Sequence, residues 1–176
     1  MGFLDFLKSD SNSNKNKVSE VKARNPFNLR VGDIIEYDLV EYEVIGKIIY
    51  EEGGYEWYDY HLLGNGKHLW LFAEEDDQIS LVLFNKIPNA NKLYAELQRG
   101  HPATINFDGK QYSLVEEGEA NINVIGKVGA KTGQRVKYAD YRCNNQWISV
   151  EEWGNELEIN VGTRIKESLL EYYPGE

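Results

Sequence analysis

The sequence predicts an all-β, mainly antiparallel fold with one or two short helices. Three observations carry that prediction. Aromatic and β-branched residues are abundant, with 12 tyrosines and 4 tryptophans against a single methionine in 176 residues. Short apolar or alternating runs are separated by turn signals such as Gly53-Gly54, Asn65-Gly66 and Lys131-Thr132-Gly133. A segment also recurs: Val44-Ile45-Gly46-Lys47-Ile48 returns as Val124-Ile125-Gly126-Lys127-Val128.

The recurrence extends beyond these five positions. Trp57, Asp59 and Tyr60 follow the first copy; Tyr138, Asp140 and Tyr141 follow the second. Trp70-Leu71-Phe72-Ala73-Glu74-Glu75 then matches Trp147-Ile148-Ser149-Val150-Glu151-Glu152. A turn at Asn65-Gly66 places His61 opposite Trp70, and a turn at Asn144-Asn145 places Arg142 opposite Trp147. The second hairpin is shorter by two residues per strand, which keeps every side chain on its original face. The expected architecture is therefore internally duplicated, a pseudo-twofold β-sandwich or a pair of half-barrels. Gly46 and Gly126 interrupt strand patterns at equivalent places, which points to a bulge with positive φ or a close backbone approach.

Expected strands in the first half are 34–37, 42–50, 55–63, 68–73 and 79–84. In the second half they are 103–107, 110–116, 120–127, 135–143, 146–151 and 156–160. Helix-like pieces are expected at 91–98 and 163–173. Three units follow: a short amphipathic N-terminal helix over 1–8, a flexible linker over 9–24, and one β-domain over 25–176 with halves near 31–98 and 103–173. In the first unit Phe3, Leu4, Phe6 and Leu7 form one apolar face, which makes them candidates for docking to a membrane or a partner.

Composition excludes several functions. The formal net charge is −10, and it is unevenly placed: residues 1–30 carry a net +3 and residues 31–176 a net −13. An acidic body repels phosphates, so nucleic acid is not an expected partner and membrane contact is confined to residues 1–8. The single Cys143 excludes an internal disulfide and every multi-cysteine metal or redox motif. No nucleotide-binding loop and no serine-hydrolase elbow is present.

Asn28-Leu29-Arg30-Val31-Gly32-Asp33-Ile34-Ile35-Glu36-Tyr37, then Tyr42-Glu43-Val44-Ile45-Gly46, Trp57-Tyr58-Asp59-Tyr60 and Trp70-Leu71 form a recognisable series. It resembles bacterial domain of unknown function number 4178. The resemblance covers residues 28–84 directly and the second half by way of the duplication. It implies a bacterial cytoplasmic protein, peripheral to the membrane at most, an accessory of a membrane-associated or stress-response complex. It supplies no catalytic residues.

Three constellations could carry chemistry. In the hairpin register Asp59, His61, His68 and Trp70 share a face. Two imidazoles and a carboxylate can bind zinc, but the second copy has Arg142 for His61, and no metal or other cofactor is expected. The acidic runs Glu74-Glu75-Asp76-Asp77 and Glu151-Glu152 read as solvated turns. Of the two hairpin faces, that of Tyr58, Tyr60, Leu62, Leu69 and Leu71 is expected to be core; the face of Trp57 and Trp70 then lies on the opposite surface. The candidate binding residues are Trp57, Asp59, His61, Trp70, Asp140 and Trp147.

Two functions are weighed. The first is a non-enzymatic protein-interaction module with a protein partner. The second is a small-ligand binder or hydrolase with a carboxylate site, Asp59 and Asp140 included, between the halves. An exposed apolar patch marks the first, and convergent polar groups with shifted pKa values mark the second.

Overall fold

A computed structural model describes residues 23–88 and 92–175. The expected helix over 1–8 lies outside the described residues, as does the expected linker except for residues 23 and 24. The described chain is built from eleven strands and one helix. In chain order these are β1 (Ile34–Tyr37), β2 (Val40–Glu52), β3 (Tyr55–Gly64), β4 (Lys67–Glu75), β5 (Ile79–Lys86), α1 (Lys92–Leu97), β6 (Thr104–Phe107) and β7 (Lys110–Gly126). They continue with β8 (Arg135–Cys143), β9 (Gln146–Trp153), β10 (Glu156–Ile165), a 3₁₀ turn (Glu167–Leu169) and β11 (Leu170–Tyr173).

The hairpins follow the turn chemistry. Asn65 and Gly66 both take positive φ, at 49° and 71°, the backbone that a two-residue turn matched to strand twist requires. The resulting register sets His61 opposite Trp70 and Tyr60 opposite Leu71. In the second hairpin Asn144 takes φ 55°, and Arg142 faces Trp147. These pairs are the expected ones.

The strands do not form two stacked sheets. They run in the order β2-β3-β4-β5-β10-β9-β8-β7, and β7 pairs back onto β2. An eight-stranded antiparallel barrel is thereby closed. This replaces the expected sandwich. Its physical basis is that closure leaves no unpaired edge among the eight barrel strands. The two long strands make it possible. The start of β2 pairs with β1, and its second part, from Gly46, pairs with β7. The start of β7 pairs with β6, and its end pairs with β2. One continuous β7 stands where two strands were expected, with an irregularity in register between Leu114 and Glu116.

Alternation along the strands makes three cores. The outward face of β3–β5 carries Tyr60, Leu62, Leu71 and Leu81, covered by Leu29, Ile35 of β1 and Leu170 of β11. The outward face of β8–β10 carries Tyr141, Ile148, Val150 and Ile159. It is covered by Leu93 and Leu97 of α1 and by Ile105 of β6. The barrel interior holds Ile48, Tyr50, Trp57, Ile122, Val136 and Tyr138. The expected helix over 163–173 is therefore absent. Residues 163–165 pair with β5 and 170–173 with β1, because those ladders complete hydrogen bonding that a helix there would leave open.

The cover over the first core is pinned by Asp33, which is 2 % exposed. Its carboxylate accepts bonds from the amides of Arg30 (2.7 Å) and Gly175 (2.8 Å) and from Arg24 Nε (2.6 Å). Burial would raise its pKa, but these donors and the Arg24 charge hold it below the ordinary aspartate value.

Gly46 and Gly126 face each other across the β2·β7 seam. Gly126 has φ +75°, whereas Gly46 sits at a register shift where a Cβ would come within 2.5 Å of the Lys127 carbonyl oxygen. The backbone demand expected at both is met in two different ways.

Candidate functional site

The interior is not filled. A cavity of about 520 Å³ runs through the barrel, walled by β2, β3, β4, β5, β8, β9 and β10. At one end it reaches the β7–β8 loop at Gly129 and Ala130, and the β9–β10 turn at Asn155. That volume suits a small organic molecule.

Aromatic rings form much of the wall. Trp57 stacks on Tyr50 with centroids 5.3 Å apart and planes 4° from parallel. Tyr138 meets Trp57 edge-on at 5.4 Å. Trp70, Phe72 and Trp153 also line the space. This face was expected to be outer surface. It points inward instead, because the barrel wraps it and the Tyr60–Leu71 face is covered from outside.

Against the rings stand acids. Asp59, Asp140, Glu151, Glu156 and Glu158 line the cavity with one base, Lys86, which pairs with Glu158 at 2.6 Å. Glu151 is not in a solvated turn as expected. It lies within β9 at 8 % exposure. Its Oε2 accepts from Trp153 Nε1 at 3.3 Å and its Oε1 from the Tyr50 hydroxyl at 2.6 Å. The same hydroxyl lies 3.0 Å from Asp59 Oδ2.

That arrangement fixes a proton count. One hydroxyl has one hydrogen and donates to one carboxylate. The second short contact is favourable only if the other carboxyl keeps its own proton and donates to the tyrosine oxygen. The electrostatics agree. Burial pushes Asp59 up to about 7, and the charges of Asp140 and Glu158 add to that while the Tyr50 bond opposes it. Burial and then the Asp59 charge push Glu151 up to about 8. Burial likewise pushes Asp140 up to about 7, against a bond from Ser149. Convergent carboxyls near neutrality in a cavity are the pattern of a functional site rather than of a solvated acidic face.

Several acceptors are left over. Asp59 Oδ1, Asp140 Oδ1 and Asn160 Oδ1 are buried without a hydrogen-bond partner among the described residues. Buried polar atoms ordinarily have one.

Of the candidate residues from sequence, Trp57, Asp59, Trp70 and Asp140 converge on the cavity. His61 and Trp147 do not line it. His61 stacks on Trp70 at 4.5 Å and contacts His68 (2.9 Å) and the Lys127 carbonyl (2.7 Å). Trp147 lies under the Arg142 guanidinium. No group of three metal-ligating side chains occurs among the described residues. Phe3, Leu4, Phe6 and Leu7 lie outside the described residues. Tyr50, Glu151, Glu158 and Asn160 were missed. Alternation from Trp147 through Ser149, Glu151 and Trp153 places Glu151 on the inward face and could have found it.

Fold and site together define a closed antiparallel barrel with an acid-lined interior. The chain belongs to the family described as Domain of unknown function (DUF4178), whose model matches residues 30–167. It is 27% identical over 158 residues to an uncharacterised protein of Mycobacterium tuberculosis (strain ATCC 25618 / H37Rv), covering 85% of this chain and 73% of that one. The figures are the same for an uncharacterised protein of Mycobacterium bovis (strain ATCC BAA-935 / AF2122/97). No solved structure matches. Among the described residues no helix is long and apolar enough to cross a membrane.

Proposed function

We propose that this protein is a small-ligand binder whose site is the barrel interior. The observation that carries this is the coincidence of one aromatic-walled cavity with buried acceptors that have no partner. A core serving stability alone would be filled and satisfied. Of the two readings the sequence leaves open, convergent carboxyls favour the ligand-binding one. Binding alone is proposed.

The site sits where two related halves would meet. The seams support that relation. Exchanging the halves carries the pair Leu83–Thr163 into Asn85–Val161, and both pairs occur in the β5·β10 ladder.

N-phenyl-1-naphthylamine, an uncharged dye at neutral pH that fluoresces in apolar surroundings, tests the site. It is expected to bind with one-to-one stoichiometry and to quench tryptophan emission. Ala130→Trp, at the end of the cavity, and Ser149→Leu, within it, should each weaken binding by tenfold or more. An absence of enhancement, or binding unaffected by both substitutions, would refute the interior site.

A further inference from the structure

Resting on that reading, we propose that the interior selects an organic cation: a molecule with an apolar or aromatic body and an ammonium group, the ammonium seated among Asp59, Asp140, Glu151 and Asn160.

Four observations lead there. First, the unmatched groups in the cavity are all acceptors: Asp59 Oδ1, Asp140 Oδ1 and Asn160 Oδ1. An ammonium offers three donors and no acceptor, so it complements that set, whereas a carboxylate or phosphate offers only more acceptors. Second, Asn160 is 7 % exposed, and its free oxygen belongs to an uncharged side chain. Charge repulsion therefore does not account for the unmatched oxygen, and a donor would satisfy it. Third, lining charge is five carboxyl groups to one ammonium, and that ammonium, on Lys86, is already engaged by Glu158. Fourth, the aromatic walls suit a cation twice over: Trp57, Trp70 and Trp153 bury an apolar body, and ring faces attract positive charge.

The contact between Tyr50, Asp59 and Glu151 shows how the site tolerates its acids without a cation. A proton shared within that trio keeps one carboxyl neutral. An arriving ammonium supplies positive charge and hydrogen-bond donors in its place, so the trio can release that proton.

Three indoles of one skeleton separate charge from shape: tryptamine, which is cationic, tryptophol, which is neutral, and indole-3-acetate, which is anionic. Each is titrated against the dye complex of the full chain at pH 8. Tryptamine should displace the dye at a concentration at least tenfold below that of tryptophol, and indole-3-acetate should be the weakest. In an Asp59→Asn, Asp140→Asn variant that still binds the dye, the preference for tryptamine over tryptophol should fall to within about twofold. Because that variant keeps most of the acidic surface, its lost preference places the effect in the barrel. Equal displacement by tryptamine and tryptophol overturns the cation proposal and leaves the ligand-binding reading standing. So does failure of all three to displace bound dye, or a preference that survives the double substitution. Failure of the dye itself to bind overturns the ligand-binding reading, and the cation proposal with it.

Discussion

Gly126→Ala is expected to cost roughly 3 kcal/mol or more, and Gly46→Val at least as much, in urea unfolding. The two act at one seam by different routes. At Gly126 a side chain would have to adopt φ +75° and place its Cβ 2.5 Å from the Ile45 carbonyl oxygen. The left-handed backbone alone costs about 1–2 kcal/mol, and overpacking adds about 1–3 kcal/mol. At Gly46 the backbone is ordinary, but a Cβ would meet the Lys127 carbonyl at 2.5 Å and Val128 Cγ1 at 2.7 Å. That carbonyl cannot easily retreat, because it accepts from His61 Nδ1 and the Lys127 amide donates to the Ile45 carbonyl. Total stability of a domain this size is about 5–15 kcal/mol, so each change removes a large share. Alanine at Gly46 should be milder than alanine at Gly126. Two near-neutral alanine variants would mean that the seam does not close as described.

Stability of the ligand-free protein is expected to fall as pH rises from about 5 to about 8.5. Asp59 and Asp140, held near 7, and Glu151, held near 8, bind protons in the folded state that the unfolded chain has already lost above about pH 4.5. Wherever the native state holds more protons, stability drops with rising pH. Their contribution is thus complete below the unfolded pKa values and lost as pH passes through 7 and 8. For one such group in isolation the change is roughly 4 kcal/mol. The three share neighbours and will not add. Asp59 is surrounded by Tyr50, Asp140, Glu151, Glu158 and the Lys86–Glu158 pair, and Asp140 also feels Glu74 and Glu116. Asp33 acts oppositely. Its lowered pKa stabilises above the ordinary aspartate range and is lost in acid, so the maximum should lie near the ordinary carboxylate range, at about pH 4. Asp59→Asn should flatten the alkaline limb and leave the variant more stable than wild type at pH 8.5. A flat wild-type profile between pH 5 and 8.5 would show that these carboxyls ionise freely.

Much of the fold was legible where the determinants are local. Asn65-Gly66 and Asn144-Asn145 fixed two hairpins and through them which side chains share a face. The Val31-Gly32-Asp33 series carried the family resemblance but not its structural reason: Gly32 takes φ +95°, and Asp33 gathers the donors around it. What was not legible is non-local. Nothing in the sequence of β2 says that its second part leaves β1 to pair with β7. Without that pairing the same hairpins read as a sandwich, with Trp57 and Trp70 facing outward. The segment after Gly162 spaces Ile165, Leu169, Leu170 and Tyr173 in a way compatible with a helix, yet open ladders on β5 and β1 claimed it. At the site, Asp59 and Asp140 were singled out because they recur at equivalent places. Glu151 was read as a turn because two glutamates in succession resemble solvated surface. Alternation along β9 turns Glu151 inward, and closure of the barrel buries it at 8 % exposure beside a half-buried Glu152.

The four tryptophans permit the most direct test of the interior site. Trp57, Trp70 and Trp153 line the cavity, and Trp147 does not. In a nitrogen-15 correlation spectrum each indole N–H gives its own signal. On titration with N-phenyl-1-naphthylamine the signals of Trp57, Trp70 and Trp153 should shift together and saturate at one equivalent, with Trp147 moving least. Shifts largest at Trp147, or no shift at the other three while the dye is bound, would contradict a ligand site inside the barrel.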